Sequence, residues 1–392
     1  MYNQVNQRVS LFFVFFRVAV LFFLWRGGLI LTAFIGLNLS QEYSGSYNHD
    51  SEWNYFSDHY LLNGFYRWDS DWYDYIAREG YGTQEGRRAY ATAFFPLFPF
   101  LARWLSLFVG DRLTAGLFLS YLSLFFGLFY CYRIGLKFLD RITVERSIIL
   151  LLVFPVSFFF SAFYTESLFL FLTSGSFFYF LSRRFFWAGI FGLLACLTRP
   201  TGITLIAVMM ASLIFQWFSE QRKPKWSVLF LLLIPVGLLI YMILLFFWTG
   251  NPLAFVNAQS HWSRSNTFPL LTLLQAWYSL DFSFPRDMTN IQLAINWFCA
   301  VGFLILGVVM LITAWKEKTD IGLPLWVLAG VLMPLSTGSV DSMVRYCSVL
   351  FPGFFSIATH IKSDIFYFWL ITFWSSLLVV YSLGFMNKFW VV

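Results

Sequence analysis

Long uninterrupted apolar runs dominate the chain, and polar residues gather in the stretches between them. A membrane-spanning helix needs about 20 mostly apolar residues, and several of these runs reach that length. A membrane β-barrel would show short segments of alternating apolar and polar positions instead. The pattern predicts an all-α, polytopic transmembrane helical bundle of about eleven spans, at residues 18–39, 113–136, 147–163, 167–182, 185–198, 201–217, 227–248, 291–315, 324–338, 346–361 and 365–386.

The composition agrees with that pattern, since 59% of the 392 residues are hydrophobic and only 12% are charged. A soluble protein carries about 25% charged residues. The composition therefore excludes a disordered chain, a nucleic-acid-binding module and a secreted disulfide scaffold. The net charge of +6 is modest, and we attribute it to lysine and arginine in cytoplasmic loops rather than to a nucleic-acid surface.

Basic residues orient the predicted bundle, because short cytoplasmic loops carry an excess of lysine and arginine. The alternating loops at 137–146, 183–184, 222–225 and 316–318 hold such residues and are predicted to be cytoplasmic. Two long loops, 40–112 and 249–290, then lie on the non-cytoplasmic side, and the first of them is rich in acidic and aromatic residues. We expect one integral membrane domain over residues 1–392, with its active site on that outer side.

The first outer loop contains the densest chemistry, in the segment 67–81. A short helix is predicted from Trp68 onward, because Trp68 and Trp72 lie one turn apart and Gly80 is a natural stop. One interpretation is an interfacial helix whose solvated carboxylate face carries Asp71 and Asp74. In the other, Asp69, Asp71 and Asp74 hold carboxylates at the membrane surface, where one of them can take a proton from the hydroxyl of a lipid-linked substrate.

Two prolines three residues apart, Pro96 and Pro99, follow this helix. Proline is unfavourable inside a regular helix. We expect a bent, interfacial or re-entrant approach to the next apolar segment, with a kink at a helix start as the alternative.

Other charged residues lie at predicted outer ends of spans. Glu166 is a functional candidate because an ionisable group at membrane depth is costly; the alternatives are a residue that faces water or one that pairs with Arg199. Arg199 and Arg345 could grip a phosphate bidentately. In the second outer loop, His261 lies beside Trp262 and Arg264, a combination that suits a sugar phosphate, although a loop histidine is more often simply exposed.

Several short segments follow one another along the chain: Trp68-Asp69, Tyr73, Ile76-Ala77 and Gly80-Tyr81, then Ala93-Phe94-Phe95-Pro96-Leu97 and Pro99, the segment 154–169 with Tyr164-Thr165-Glu166-Ser167, the turn Thr198-Arg199-Pro200-Thr201-Gly202, and Arg345-Tyr346 before Phe351-Pro352. In this order they resemble the signature of the PIG-V family of membrane mannosyltransferases. One departure is Thr201, where the eukaryotic pattern usually has asparagine.

The resemblance implies a GT-C glycosyltransferase fold and an inverting transfer of a sugar, typically mannose, from a polyprenyl (dolichyl) phosphate donor to a lipid-linked or glycolipid acceptor. In the eukaryotic relatives this is the α-1,6-mannosyl transfer of GPI-anchor assembly. It also implies an active site on the lumenal or periplasmic face, in the plasma membrane of a prokaryote or the endoplasmic reticulum of a eukaryote.

By the same resemblance, Asp69 is the expected general base, with Asp71 as the second choice and Glu166 as a further catalytic candidate. Trp68, Tyr73, Arg199, Arg345 and His261 are the expected substrate-binding residues. No metal-ligand motif is present; the carboxylates could bind a divalent metal, but leaving-group stabilisation by arginine needs none.

Three other readings remain open. A lipid or sugar flippase or transporter would show internal repeats and midplane charges, and no such repeat is visible here. A non-catalytic subunit of a larger complex would tolerate loss of Asp69. A protein O-mannosyltransferase or an oligosaccharyltransferase-like enzyme shares the general plan but not the Trp-Asp…Ala-Phe-Phe-Pro-Leu string.

Overall fold

A computed structural model describes residues 9–39, 60–82, 87–220, 225–262, 264–281, 288–389 and 391. Within these ranges the chain is helical and has no strand, which confirms the all-α prediction. The α-helices are α1 (Leu11–Leu39), α2 (Tyr60–Asn63), α3 (Asp69–Glu79), α4 (Arg87–Ala91), α5 (Leu97–Val109), α6 (Arg112–Gly135), α7 (Arg141–Val153), α8 (Glu166–Leu181), α9 (Phe185–Thr198), α10 (Thr204–Glu220), α11 (Leu233–Thr249), α12 (Ala254–Asn257), α13 (Pro269–Tyr278), α14 (Met288–Glu317), α15 (Gly322–Leu335), α16 (Met343–Ser348), α17 (Phe351–His360) and α18 (Asp364–Met386). Four 3-10 helices join them at Ser157–Ser161, Pro200–Ile203, Trp226–Leu232 and Ala258–Trp262.

Six helical segments among the described residues are long and apolar enough to cross a membrane. They are Leu11–Asn38, Arg112–Gly135, Pro200–Ser219, Trp226–Thr249, Thr289–Glu317 and Asp364–Met386. Four shorter apolar helices accompany them: Leu97–Val109, Glu166–Leu181, Phe185–Thr198 and Gly322–Leu335. The prediction of membrane-spanning helices is confirmed, whereas the count of eleven is not.

Two of the predicted spans are broken into shorter pieces. The segment 147–163 consists of the end of α7 and the 3-10 helix Ser157–Ser161, with Pro155 between them. The segment 346–361 consists of the end of α16 and the whole of α17, which has Pro352 in its first turn. Proline is favoured in the first turn of a helix and is unfavourable in a helix interior. Both interruptions therefore follow from the positions of Pro155 and Pro352.

The predicted first outer loop, 40–112, contains short helices, although residues 40–59 and 83–86 lie outside the described ranges. Helix α3 runs from Asp69 to Glu79 and is followed by Gly80, whose φ of 72° suits glycine, so the prediction of a helix here is confirmed. Helix α5 was not predicted: Pro96 caps it and Pro99 lies in its first turn. The two prolines therefore mark a regular helix start.

Packing between helices brings three chain segments to one end of the bundle: the start of α3, the start of α8 and the end of α9. Helix α6 packs on α8, α8 packs on α9, and α3 packs on α5. Because α8 and α9 run in opposite directions, the first residue of α8 and the last of α9 lie at the same end. The charged residues described next are concentrated there.

Candidate functional site

Helix α3 presents Asp69 as its first residue, where the helix dipole favours a negative charge. Trp68, directly before it, has φ 54°, a left-handed conformation that is strained for a tryptophan. Tyr164 holds this turn: its hydroxyl accepts the backbone N–H of Asp69 at 3.1 Å and donates to the carbonyl oxygen of Arg67 at 3.1 Å. The aspartate is thus fixed against the segment that leads into α8.

Arg199 leaves the end of α9 because Pro200 follows it. A residue before proline is pushed out of the helical region, and Arg199 has φ −152° and ψ 144°. The next turn folds back so tightly that a Cβ at Gly202 would lie 2.7 Å from the backbone of Ala195. This geometry directs the guanidinium to Glu166, whose Oε1 accepts from Arg199 Nη2 at 2.6 Å.

Arg345 connects the ion pair of Arg199 and Glu166 to Asp69. Its Nη1 donates to Asp69 Oδ2 at 2.7 Å, and its Nε lies 2.6 Å from Glu166 Oε1. The second contact is an ion pair and not an aligned hydrogen bond, because Nε has no hydrogen-bond partner among the described residues. Ser342, just before α16, has φ 64°, so strained backbone precedes both Arg345 and Asp69.

We call Asp69, Arg345, Glu166 and Arg199 the charge cluster. Its two carboxylates and two guanidiniums balance in charge. Exposure falls from 17% for the Asp69 side chain through 11% for Arg345 and 7% for Arg199 to 0% for Glu166. Asp69 is therefore the most exposed member of the cluster, while Glu166 lies at its base. The alternative in which Glu166 faces water is wrong, and its pairing with Arg199 is observed.

Three atoms of the cluster lack hydrogen-bond partners among the described residues: Glu166 Oε2, Arg199 Nη1 and Arg345 Nε. An unsatisfied buried donor or acceptor costs about 1–3 kcal/mol, and natural proteins contain few of them. Arg199 also lines a cavity of about 10 Å³, together with Phe169, Thr201, Trp326 and Tyr346. That volume is about one water molecule. The cluster thus has hydrogen-bonding capacity that the described chain does not use.

Tyr73 lies beside the cluster and is 4% exposed. Its hydroxyl is 3.2 Å from Thr165 Oγ1, and its ring packs edge-on against Phe94 and Tyr164. Burial raises the pKa of Tyr73, and the negative charge of Glu166 raises it further, so the phenol stays protonated. Sequence reasoning did not assign Tyr164 and Thr165 to the site, although their position directly before Glu166 was a signal.

The other two aspartates of α3 lie elsewhere. Asp71 is 8% exposed and accepts from the Tyr66 hydroxyl at 3.4 Å; it is not part of the charge cluster. Asp74 is 2% exposed and accepts from Arg112 Nε at 2.6 Å. Burial raises the pKa of Asp74, an effect that Arg112 opposes. The expected solvated carboxylate face is therefore absent at Asp71 and Asp74, which are buried.

His261 is exposed, and its ring lies 4.3 Å from that of Tyr90. Its neighbour Trp262 packs edge-on against Trp72 and Phe94. These aromatic contacts join the two predicted outer loops. The ring contact of His261 is with Tyr90 and not with a residue of the charge cluster, so its role in substrate binding remains a prediction.

Metal ligation was left open by the sequence. Within the described ranges, no group of three or more histidine, cysteine, aspartate or glutamate side chains is placed to hold a metal ion. Asp69 and Glu166 are instead bound to arginine.

Comparison with known families gives a match to the model described as mannosyltransferase (PIG-V), over residues 6–278. This region contains most of the chain. The chain belongs to the mannosyltransferase (PIG-V) family. The matched region holds Asp69, Glu166 and Arg199, while Arg345 lies beyond it. Membership confirms the resemblance found in the sequence motifs. No curated protein sequence matches the chain.

Among solved structures, the PIG-V family chain is similar to the oligosaccharyltransferase of Archaeoglobus fulgidus. The apo form matches at 11% identity with a TM-score of 0.47, over 94% of this chain and 56% of the other. The form tethered to an acceptor peptide matches at 11% and 0.48, over 94% and 55%. The complex with an inhibitory peptide and a dolichol-phosphate matches at 11% and 0.44, over 93% and 55%. The chain spans just over half the length of these proteins.

Proposed function

We propose that this membrane protein is an inverting mannosyltransferase that moves mannose from a polyprenyl phosphate to a lipid-linked acceptor. The observation that carries the proposal is the charge cluster: a partly exposed Asp69 is bound to Arg345, and Arg199 has an unused donor nearby. Family membership supplies the class of sugar transferred. The GPI-type α-1,6 linkage belongs to this proposal only for a eukaryotic acceptor.

Asp69 is the proposed general base. Its carboxylate takes the proton of the acceptor hydroxyl as that oxygen attacks C1 of the donor sugar. The bond between C1 and the phosphate oxygen breaks with its electron pair going to the phosphate, and the β-linkage of the donor becomes an α-linkage. Arg345 Nη1 lies 2.7 Å from Asp69 Oδ2 and fixes the direction of this carboxylate.

Glu166 is proposed as a positioning residue instead of a base. It is completely buried, and its Oε1 contacts both arginines of the cluster. Two guanidiniums so close together repel each other unless an anion lies between them. Glu166 thereby holds Arg199 where its Nη1 can donate to the phosphate of the leaving lipid, on which negative charge develops.

The proposed active side is the non-cytoplasmic face. The charge cluster lies at the end of the bundle where α8 begins and α9 ends. At the opposite end of the same two helices lie Arg183 and Arg184, in a short connection of the kind that stays cytoplasmic.

The test is transfer of radiolabelled mannose from polyprenyl-phosphate mannose to a lipid extract by purified protein in detergent. Asp69→Asn keeps the shape of the side chain and removes the base, and we expect a loss of about 10²- to 10⁴-fold. Asp71→Asn, the matched control two residues away, should retain most of the transfer. If Asp69→Asn transfers mannose as fast as wild type, Asp69 is not the base. Lipid movement in liposomes without any transfer would contradict the proposal and favour a flippase.

A further inference from the structure

One face of α6 leads away from the charge cluster towards the opposite end of the bundle. It begins with apolar side chains, of which Leu122 is 45% exposed and Phe126 is 39% exposed. Because residues three or four apart lie on one face of a helix, the same face continues through Tyr130 to Arg133, and Lys137 follows directly after the helix. We call these five residues the α6 stripe. The stripe changes from apolar to positively charged along its length.

The two cations of the stripe share one aromatic ring near the end of α8. The guanidinium carbon of Arg133 lies 5.3 Å from the centre of the Phe178 ring, and Lys137 Nζ lies 5.4 Å from the same centre. Lys137 Nζ also donates to Ser182 Oγ at 3.0 Å. Burial lowers the pKa of Lys137, and the positive charge of Arg133 lowers it further. The two charges are close enough to repel each other.

No ion pair with a carboxylate offsets these two charges in the part of the chain that the structure describes. The acidic residues that follow in the chain are engaged elsewhere. Asp140 accepts from the backbone N–H and the hydroxyl of Thr143, and Glu145 forms ion pairs with two other arginines. Like charges four positions apart are destabilising. An anion from outside the chain would relieve this repulsion.

The surroundings of the stripe favour a lipid as the source of that anion. At about 1.5 Å per residue, α6 rises about 16 Å between Leu122 and Arg133, which is close to half of the hydrocarbon thickness of about 30 Å. Beside the cations, the ring of Trp187, 49% exposed, lies 6.2 Å from that of Tyr179. Tryptophan and tyrosine are typical of the membrane–water interface. The stripe thus has the length of one leaflet, with its cations at headgroup depth.

We propose that the α6 stripe binds an anionic phospholipid of the leaflet opposite the charge cluster. The phosphate oxygens accept hydrogen bonds from Arg133 and Lys137, and an acyl chain lies along Leu122 and Phe126. Guanidinium and ammonium groups are strong phosphate donors, and basic pockets between membrane helices suit anionic headgroups. A soluble anion would use the charges but not the apolar part of the stripe. The site is separate from the charge cluster and does not rest on the proposed function.

The test is native mass spectrometry of the purified full-length protein in detergent, with phosphatidylglycerol and phosphatidylcholine of the same acyl chains added in equal amounts. We expect wild type to retain phosphatidylglycerol about tenfold or more in preference, because each cation near the membrane surface attracts anionic lipid. Arg133→Gln/Lys137→Gln should reduce the preference to about twofold or less. Arg133→Lys/Lys137→Arg exchanges the two cations, keeps both charges and should retain most of the preference.

The matched control is Lys316→Gln/Lys362→Gln, which removes two charges from exposed lysines in other connections at the same end of the bundle. This variant should retain lipid like wild type. Circular dichroism and thermal unfolding establish that each variant is folded. A further arm adds inorganic phosphate to wild type loaded with phosphatidylglycerol. Displacement of the lipid would show an anion site that makes no use of the apolar part, contrary to the proposal.

Two other results would overturn the phospholipid site. Wild type could retain the two lipids equally, an outcome that needs no variant, or Arg133→Gln/Lys137→Gln could keep the wild-type preference. Lipid retention does not involve sugar transfer, so either result would leave the proposed function intact. Conversely, a protein that prefers phosphatidylglycerol through these two cations but transfers no mannose would keep the lipid site and lose the proposed function.

Discussion

Two glutamates in this protein each form ion pairs with two arginines. They differ in whether both carboxylate oxygens have hydrogen-bond partners. Glu145, near the start of α7, accepts from Arg17 and Arg141 and from the Tyr132 hydroxyl at 3.1 Å, so both of its oxygens have partners. Glu166 contacts Arg199 and Arg345 through Oε1 alone, and its Oε2 has no partner among the described residues.

The surroundings of the two glutamates differ as well. The Glu145 side chain is 18% exposed, and its arginines are 34% and 44% exposed, so water screens these ion pairs. Glu166 is completely buried. The groups around Glu145 are satisfied and partly hydrated, whereas the buried groups around Glu166 include hydrogen-bonding atoms without partners among the described residues. This contrast is why we place the proposed active site at the charge cluster and not at Glu145.

The largest expected effect comes from neutralising each glutamate in turn. Glu166→Gln leaves two arginines buried without a full counter-charge, and breaking a buried pair costs about 3–5 kcal/mol. Glu145→Gln removes a more hydrated pair and should cost about 1 kcal/mol or less. Thermal unfolding in detergent measures both, with mannosyl transfer as a second readout. Equal losses of stability in the two variants would contradict the difference that we draw between Glu166 and Glu145.

A smaller effect is expected from arginine-to-lysine changes that keep the charge. Arg199→Lys loses the Nη1 donor and the fork geometry, so mannosyl transfer should fall about 10- to 100-fold while the melting temperature changes little. We call Glu145, Arg17, Arg141 and Tyr132 the Glu145 cluster. Arg141→Lys in this cluster is the control and should leave transfer unchanged. Normal transfer by Arg199→Lys would mean that Nη1 does not act on the substrate.

The smallest expected effect is a pH dependence of thermal stability that arises from the Glu145 cluster. Burial raises the pKa of Glu145, but hydrogen bonds from Arg17, Arg141 and Tyr132 lower it to a net value below the ordinary one. The ionised form therefore stabilises the fold above the unfolded pKa, and that stabilisation disappears as pH falls through the folded pKa. Melting temperatures between pH 7 and pH 3 should fall slightly more for wild type than for Glu145→Gln. Parallel curves would show that the cluster contributes nothing measurable.

Local features of the site were predictable from the sequence. Helix α3 and its end at Gly80 follow from short-range spacing and from the conformational freedom of glycine. Family motifs placed Asp69, Glu166, Arg199 and Arg345 in order along the chain.

The sequence did not predict which of these residues contact one another in the folded protein. Asp69 and Arg345 are separated by 276 positions, and only the packing of helices brings them within 2.7 Å. Hydropathy alone also merged α16 and α17 into one span, because the interruption between them is as apolar as the helices. Burial of Asp74 against Arg112 was missed for the same reason, since spacing within α3 says nothing about its neighbours.

The most direct test is an experimental structure of the protein with a non-hydrolysable analogue of polyprenyl-phosphate mannose. We predict the phosphate within hydrogen-bond distance of Arg199, with C1 of the sugar on the side that faces Asp69. A phosphate bound at the Glu145 cluster, or beside Arg112 and Asp74, would contradict the assignment of the active site to the charge cluster.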